Sequence, residues 1–323
     1  MLKNLKSLAK NEYWLVTGAC GYIGSNLVSY LTSTGEPVIA LDNLRSSSRT
    51  QIDASVPFIH GDIRNLKDLQ KVSRFGAIKG VFNLAGLKFP EESITQPKLY
   101  WDINVNGVKT IVDYMEKDQV PILVQASSCS VYGNLSVDWI DENQPTSPIT
   151  PYGESKLAAE EVVNEASRIL GMKTINLRFF NVAGASKKGL TDKSYLNLIP
   201  SVIREIKRGN NPKIFGADYE TPDGTCIRDF IHVEDVAKAL YLAANNLKSK
   251  KLPPALNLGS GIGYSVGQIT AYILKILDSD LQPQIFSRRK GDPEIVRAAI
   301  SLAQNQMNFT ATRSLEEMVL SSL

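Results

Sequence analysis

Short apolar runs alternate with helical apolar stripes from Tyr13 to about Asn181, and this half of the chain reads as a series of strand–helix units. The run YWLVTGACGYIG (13–24) carries a strand straight into Gly18, Gly21 and Gly24. Ile23, Leu27, Val28 and Leu31 then recur at helical spacing, which predicts a helix over about Tyr22 to Leu31. PVIALD predicts the next strand, ending at Asp42, and FIHGDI (58–63) a short one followed by a polar helix from about Asn65. GVFNLAG (80–86) reads as a buried strand, Pro97 to Lys117 as a helix, and PILVQASS (121–128) as a strand ending in Ser127 and Ser128. A long polar loop follows over 133–150, then a helix over 152–170 directly after Pro151. Its Leu157, Val162, Val163 and Ile169 should face the sheet or a partner subunit. KTINLRF (173–179) is the last clear strand of this half.

Alternation of this kind builds a right-handed parallel sheet. Beyond Asn181 the rhythm loosens into the glycine- and proline-rich stretches GASKKG, RGNNPKIFG and ETPDGT. The expected fold is therefore α/β: a Rossmann-type doubly wound parallel sheet over 1–181, with a smaller mixed α/β substrate-binding domain over 182–323. A helix at 233–246 and a strand at 255–258 suggest that about 229–260 returns to the first domain.

Composition narrows the function. The 323 residues are 43% hydrophobic, enough for a sizeable core. A net charge of +3, without a basic stripe interleaved with aromatics, argues against nucleic acid as a partner. Cys20, Cys129 and Cys226 form neither a disulfide framework nor a metal pattern, which points to a reducing, cytoplasmic setting. His60 and His232 are too few and too separate for a metal site and read as structural. No apolar run has the length of a membrane span, so no membrane partner is expected. Residues 1–12, MLKNLKSLAKNE, lack the continuous apolar stretch of a secretory signal; Leu2, Leu5 and Leu8 suggest one turn of a packing extension.

The candidate chemistry sits at strand ends. Glycines at the first turn of a βαβ unit let backbone approach a pyrophosphate seated on a helix N-terminus. Asp42 stands where an acidic residue holds a ribose 2′-hydroxyl, which favours NAD over NADP. Asp62 is placed either to reach an adenine amino group or to cap the following helix. Ala85 and Gly86 leave room for a cofactor phosphate or ribose, and Asn104, a poor interior helix residue, either holds a kink or bonds a neighbouring loop. Ser128 falls at the carboxyl end of its strand, where open α/β sheets bind ligands. Tyr152 and Lys156 stand at i and i+4 on one helix face. A nearby ammonium stabilises a phenolate and tunes the tyrosine as a general base, with Ser128 able to relay the proton.

Together the segments VTGACGYIGSN, LDNL, GDIRN, LAGLK, NVNG, SSCSVYG, PYGESK, RFFNVAGA, NLIP, IFGADYETPDGTCIRDFIHVEDVA, NLGSGIGYSV and RRKGD resemble the extended short-chain dehydrogenase/reductases, and within them the UDP-glucose 4-epimerases. The resemblance spans nearly the whole chain. It implies NAD contacts from Gly18, Gly21, Tyr22, Ile23, Gly24, Asp42, Asn43, Asp62, Ile63, Leu84, Ala85, Gly86, Lys88, Asn104 and Phe180. Ser128, Tyr152 and Lys156 match the catalytic trio. A UDP-hexose would meet Lys88, Asn181, the turn Asn197-Leu198, Ile214 and Phe215 around the uracil, Arg228 and Arg289 at the diphosphate, and Asp292 at the ribose. The family also implies a homodimer through the helices carrying Asn104 and Tyr152–Lys156.

The chain departs from the pattern at several points. RSSSRTQIDASVP between Leu44 and Phe58 is short, and Ala299 and Leu302 stand where the family has an aspartate and a lysine. Val296 occupies a position where a bulky residue restricts the sugar pocket; it is either ordinary wall packing or the feature that admits an N-acetyl group. A 4,6-dehydratase or a carboxylyase would carry acidic residues just after the serine, where Cys129 and Ser130 stand. A non-catalytic NAD-binding regulator would have lost the Tyr–Lys pair, which is intact.

Overall fold

The computed structural model describes residues 12–289 and 291–323; the packing turn expected at Leu2, Leu5 and Leu8 lies outside them. The first half runs β1 (Glu12–Thr17), α1 (Tyr22–Ser33), β2 (Val38–Asp42), β3 (Phe58–His60), α2 (Leu66–Gln70), β4 (Ala77–Asn83), α3 (Pro90–Thr95), α4 (Pro97–Trp101), α5 (Gly107–Lys117), β5 (Ile122–Ser128), α6 (Pro151–Leu170) and β6 (Lys173–Phe179). The second half continues with β7 (Asn181–Ala183), α7 (Leu198–Lys207), β8 (Lys213–Phe215), β9 (Ile227–His232), α8 (Val233–Ser249) and β10 (Ala255–Leu258). It ends with β11 (Gly263–Ser265), α9 (Val266–Ile276), β12 (Gln284–Phe286), β13 (Ile295–Val296), α10 (Ser301–Met307) and α11 (Leu315–Ser321).

Seven parallel strands form the central sheet in the order β10-β6-β5-β4-β1-β2-β3. Period-two alternation buries both faces. Trp14, Val16 and Phe82 pack with Leu27, Leu31 and Leu240 of α1 and α8 on one side. Leu15, Ile39 and Leu123 pack with Ile111 and Val163 of α5 and α6 on the other. The chain leaves β1 toward β2 and β3, then resumes on its other flank at β4, so a topological switch point opens between β1 and β4.

The second half is interwoven with the first. β9 anchors a smaller mixed sheet with β7, β11 and β13, while β8 and β12 pair separately. α8 packs on α1, β10 extends the central sheet, and Ala303, Met307 and Phe309 around α10 enter the same core. Ile199, Val202, Ile269, Ile273, Met318 and Val319 of α7, α9 and α11 form a separate core around Phe230.

Several boundaries differ from expectation for physical reasons. The strand expected over 80–86 is β4, which begins at Ala77 and ends at Asn83, leaving Leu84 to Gly86 as loop. β3 stops at His60, and Asn65 rather than Asp62 caps α2, its side chain accepting from Lys67 N at 3.1 Å. The helix expected from Pro97 to Lys117 carries one π turn at Asp102–Asn106. That turn aims the Asn104 side chain at a neighbouring loop, and Asn104 bonds both Leu87 N (2.8 Å) and Leu87 O (3.1 Å). On α6, Val163 is buried and Leu157 and Val162 half-buried, but Ile169 is 59% exposed and does not face the sheet.

Gly80 lies in β4 against a full core. A Cβ there would stand 2.4 Å from the Trp14 ring and 3.1 Å from Ile122 O. Gly80→Ala is expected to cost about 1–3 kcal/mol through overpacking. Urea unfolding should show a lower midpoint with an unchanged slope.

Candidate active site

At the β1/β4 switch point the backbone is packed too closely for side chains. Gly18 has φ +64, and a Cβ there would lie 2.7 Å from Ala85 N; a Cβ on Gly24 would lie 2.0 Å from Gly18 O. Gly21 is the N-cap of α1 and offers no side-chain cap, so the first amides of the helix face the cleft free of one. This uncapped helix end in a bare backbone cradle fits a dinucleotide pyrophosphate. Tyr22 donates to Gly184 O at 2.7 Å and Ile23 packs on the core beneath.

The Asp42 carboxylate accepts from Cys20 N (2.9 Å), Leu44 N (2.7 Å) and Ser47 Oγ (2.9 Å), which fixes it at the tip of β2. Asn43 donates to Asp62 at 2.9 Å, and the Arg64 guanidinium holds Asp62 well below the usual carboxylate range. Ile63 is buried against Gly107. Leu84 N bonds Thr17 O, and a Cβ on Gly86 would meet Asn104 Oδ1 at 2.9 Å. Asn104 spends both amide hydrogens, on Leu87 O and on Ser155 Oγ (2.9 Å), so it holds the 84–88 loop to α6 and has no donor left for a ligand. Of the two roles expected of Asn104 in its helix, the structure shows the bond to a neighbouring loop, made from a π turn. Lys88 Nζ lies 3.5 Å from Asp192 and 5.7 Å from the Tyr22 ring centre.

Ser128, Tyr152 and Lys156 converge at the carboxyl end of β5. Ser128 ends the strand and its Oγ accepts from Ser130 N at 3.2 Å. Pro151 opens α6, and the Thr150 side chain accepts from Gly153 N at 3.2 Å, so Tyr152 falls in the first turn with its phenol beside the Ser128 and Ser130 hydroxyls. Tyr100 packs edge-on against its ring at 6.2 Å. Lys156 Nζ donates to Ala126 O at 3.0 Å and lies 6.0 Å from the Tyr152 ring centre.

Here the electrostatics differ from expectation. Burial pushes the Tyr152 phenol up to about 12, with the neighbouring Ser128 and Ser130 hydroxyls opposing. The same burial brings Lys156 down to about 8, with Glu160 opposing. In this state desolvation of the buried phenolate outweighs any lowering by the Lys156 charge, so the net shift is upward.

The remaining residues lie on the second half. Phe180 is buried, its N bonding Leu258 O at 3.0 Å, and packs with Tyr132, Val296 and Ala298. Next to it, Asn181 Nδ2 is buried with no partner among the described residues. Arg228 donates to Asp292 Oδ1 (2.8 Å), Ile227 O (2.8 Å) and Glu294 O (3.3 Å). Val296 sits beside Arg228 through the β13–β9 pairing. Asp292 N bonds Arg289 O at 3.2 Å, while the Arg289 guanidinium lies 4.3 Å from the Phe215 ring centre and 3.8 Å from Glu91. Ile214 is buried, and Phe286 packs on Phe215 at 5.6 Å. Asn197 caps no amide of α7 with its side chain, which bonds Asp192; Leu198 is half-buried.

Sequence reasoning missed the polar cluster behind the trio. Arg178 of β6 donates Nε to Glu160 Oε1 (2.9 Å), Nη2 to Glu160 Oε2 (2.7 Å) and Nη1 to the Tyr132 hydroxyl (2.8 Å). Ser127 also donates to Glu160, and Tyr132 to Asn257 at 2.7 Å. The signal was available: Arg178 is the one charged residue inside the apolar run INLRF, and Glu160 stands one helical turn after Lys156.

Comparison with known proteins agrees with the whole chain. Residues 14–259 match the NAD dependent epimerase/dehydratase family. A UDP-glucose 4-epimerase of Halalkalibacterium halodurans is 37% identical over 311 residues, covering 94% of this chain and 92% of that protein. The crystal structure of a UDP-glucose-4-epimerase from Stenotrophomonas maltophila with bound NAD and formylated UDP-arabinopyranose superposes with a TM-score of 0.91 at 31% identity, covering 96% of each chain. A UDP-Glc/GlcNAc 4-epimerase from Campylobacter jejuni superposes at 0.83 with 30% identity, over 96% of this chain and 98% of that one.

Cys129 is half-exposed beside Ser128 and Tyr152, whereas Cys20 and Cys226 are buried. Burial pushes its thiol up to about 11. A disulfide reagent should therefore label one thiol in the native protein, with a rate that rises about tenfold per pH unit below that value. Cys129→Ser should leave no reactive thiol, as counted by mass spectrometry.

Proposed function

The chain belongs to the NAD dependent epimerase/dehydratase family, and we propose that within it this enzyme interconverts UDP-glucose and UDP-galactose by inverting C4 through a 4-keto sugar. The observation that carries the reading is the convergence of Ser128, Tyr152 and Lys156 at the strand ends beside the uncapped end of α1. NAD is the cofactor and supplies, when bound, a reversible acceptor for the C4 hydride.

The residues of the chain divide the remaining work. Tyr152 takes the O4 proton, directly or through Ser128, and returns it when C4 is reduced on its other face. Its high pKa leaves it a strong base once ionised, and the Lys156 charge favours that ionisation when the substrate closes the site to water. Arg228 and Arg289 fork onto the diphosphate, and the orphan Asn181 amide has its donor free for the same ligand. Arg289 then leaves Phe215, and Phe215 with Ile214 flanks the uracil. The hexose, in contrast, meets mainly the apolar wall of Phe180 and Val296. UDP is held firmly and the sugar loosely, so the ketose can turn before reduction.

Cys129 and Ser130 occupy the positions at which elimination chemistry needs an acid–base pair, and the thiol stays protonated near neutral pH. That supports epimerisation over dehydration. A second reading rests on Val296, a small side chain at the wall beside Phe180 and Arg228: the pocket also admits UDP-GlcNAc and UDP-GalNAc. A homodimer through α4, α5 and α6 belongs to the same proposal, and Trp101 at the end of α4, 46% exposed, supports it.

Purified protein incubated with UDP-galactose, without added reductant, is expected to yield UDP-glucose. Tyr152→Phe should lower kcat by about 10²–10⁴-fold while UDP still binds. No interconversion by wild type, with NAD bound and reducible, overturns the reading. Val296→Tyr should remove turnover of the N-acetylated pair and spare the other; equal loss of both would reduce Val296 to wall packing.

A further inference from the structure

Two cations and one carboxylate are enclosed beneath the Tyr152 phenol. Helix α6 sets Tyr152, Lys156 and Glu160 at successive four-residue steps on one face. Each is buried, as is Arg178, which enters from β6. A glutamate four residues from a lysine on one helix face would ordinarily pair with it. Here it does not. The Arg178 fork takes both Glu160 oxygens, at 2.9 and 2.7 Å, and Ser127 adds a further donor. Lys156 bonds only the Ala126 carbonyl among the described residues. Two cations less one carboxylate leave one excess positive charge, and it stands on the side of the phenol.

We propose that Arg178 and Glu160 are positioning residues for the base: by engaging the carboxylate, Arg178 keeps Glu160 from neutralising Lys156, so that the ammonium acts on the Tyr152 phenol. The inference rests on the reading of Tyr152 as the base and names what sets its proton affinity. Burial already weakens the Lys156 charge, which makes the state of the one nearby carboxylate decisive. Other titratable groups face the cluster: Cys129 at the end of β5, Tyr100 of α4 with its hydroxyl on Glu92 of α3, Tyr132, whose hydroxyl accepts from Arg178, and Glu142 of the loop near Arg178. No ion pair joins α5 to α6 among the described residues. These groups are the same in every variant below.

The test is a charge series on the full-length enzyme. Arg178→Gln frees Glu160 to neutralise Lys156, so the phenol should lose its proton about one pH unit higher. The Glu160→Gln/Arg178→Gln double variant removes one charge of each sign and should return to the wild-type midpoint. Arg178→Lys, which keeps the charge, should also stay there. Two readouts are taken with the site closed by ligand: the acid limb of kcat at saturating substrate, and the phenolate ultraviolet difference absorbance against Tyr152→Phe in the complex with NAD and UDP, the state in which the Lys156 charge is retained beside the phenol. The second needs no turnover, so it decides the charge effect even where the epimerase reading has failed for wild type. An unchanged midpoint in Arg178→Gln, with only lower kcat or stability, would make the pair purely structural and overturn the proposal. So would a double variant shifted as far as the single one. If Arg178→Gln does not fold, Glu160→Gln replaces it: its added excess charge must move proton loss to lower pH, and a midpoint at or above wild type overturns the proposal.

Discussion

An ammonium buried at the end of a parallel sheet is the constraint around which the active layer is arranged. Lys156 is enclosed by α6 and β5, and a charge so placed is costly unless it is hydrogen-bonded. The partner is Ala126 O, a carbonyl near the end of β5. That carbonyl also accepts from Gln125, whose side chain accepts from Asn83, which in turn accepts from Thr17. A polar line thus crosses β5, β4 and β1 inside an otherwise apolar sheet. Each member is satisfied, as a buried network must be if it is to rigidify rather than weaken the core.

One helix distributes this order to the rest of the site. α6 carries Tyr152 and Lys156 toward the cleft, Glu160 toward β6, and Ser155 toward Asn104. Through Asn104 and its π turn, the 84–88 loop beside Gly18 is tied to the helix that bears Tyr152 and Lys156. The 84–88 loop and the Tyr152–Lys156 pair therefore share one support. A shift of α6 would disturb both at once, which gives physical sense to the density of buried bonds behind it.

The second half completes the cleft by strand pairing rather than by a hinged lid. β13 sets Val296 beside Arg228, β7 brings Asn181 against the end of β9, and β10 supports Phe180 from the central sheet. Polar groups are concentrated at Arg228, Asp292 and Asn181, and apolar ones at Phe180 and Val296. An asymmetric site of this kind suits a ligand whose charged part is fixed while its neutral part turns.

The alternation of strands and helices, the glycine turn, Asp42, and the pairing of Tyr152 with Lys156 were legible in the sequence because each rests on local spacing. A period of two or 3.6, a glycine where backbones touch, and an i,i+4 pair need no distant residue to define them. Ser128 was legible by topology, since a strand end in such a sheet is a ligand site wherever it falls. What folding alone decided depends on burial and on contacts between remote segments. The phenol lies high rather than low because desolvation is a property of the packed site. Asn104 holds a loop because Leu87 and Ser155 are its neighbours only in the fold. Arg289 lies over Phe215 because β8 and β12 pair only in the tertiary structure. Glu160 and Arg178, eighteen positions apart, pair because α6 crosses over β6. Spacing along the chain determined which groups were present; the dielectric around them, and the partner each one found, were determined by the fold.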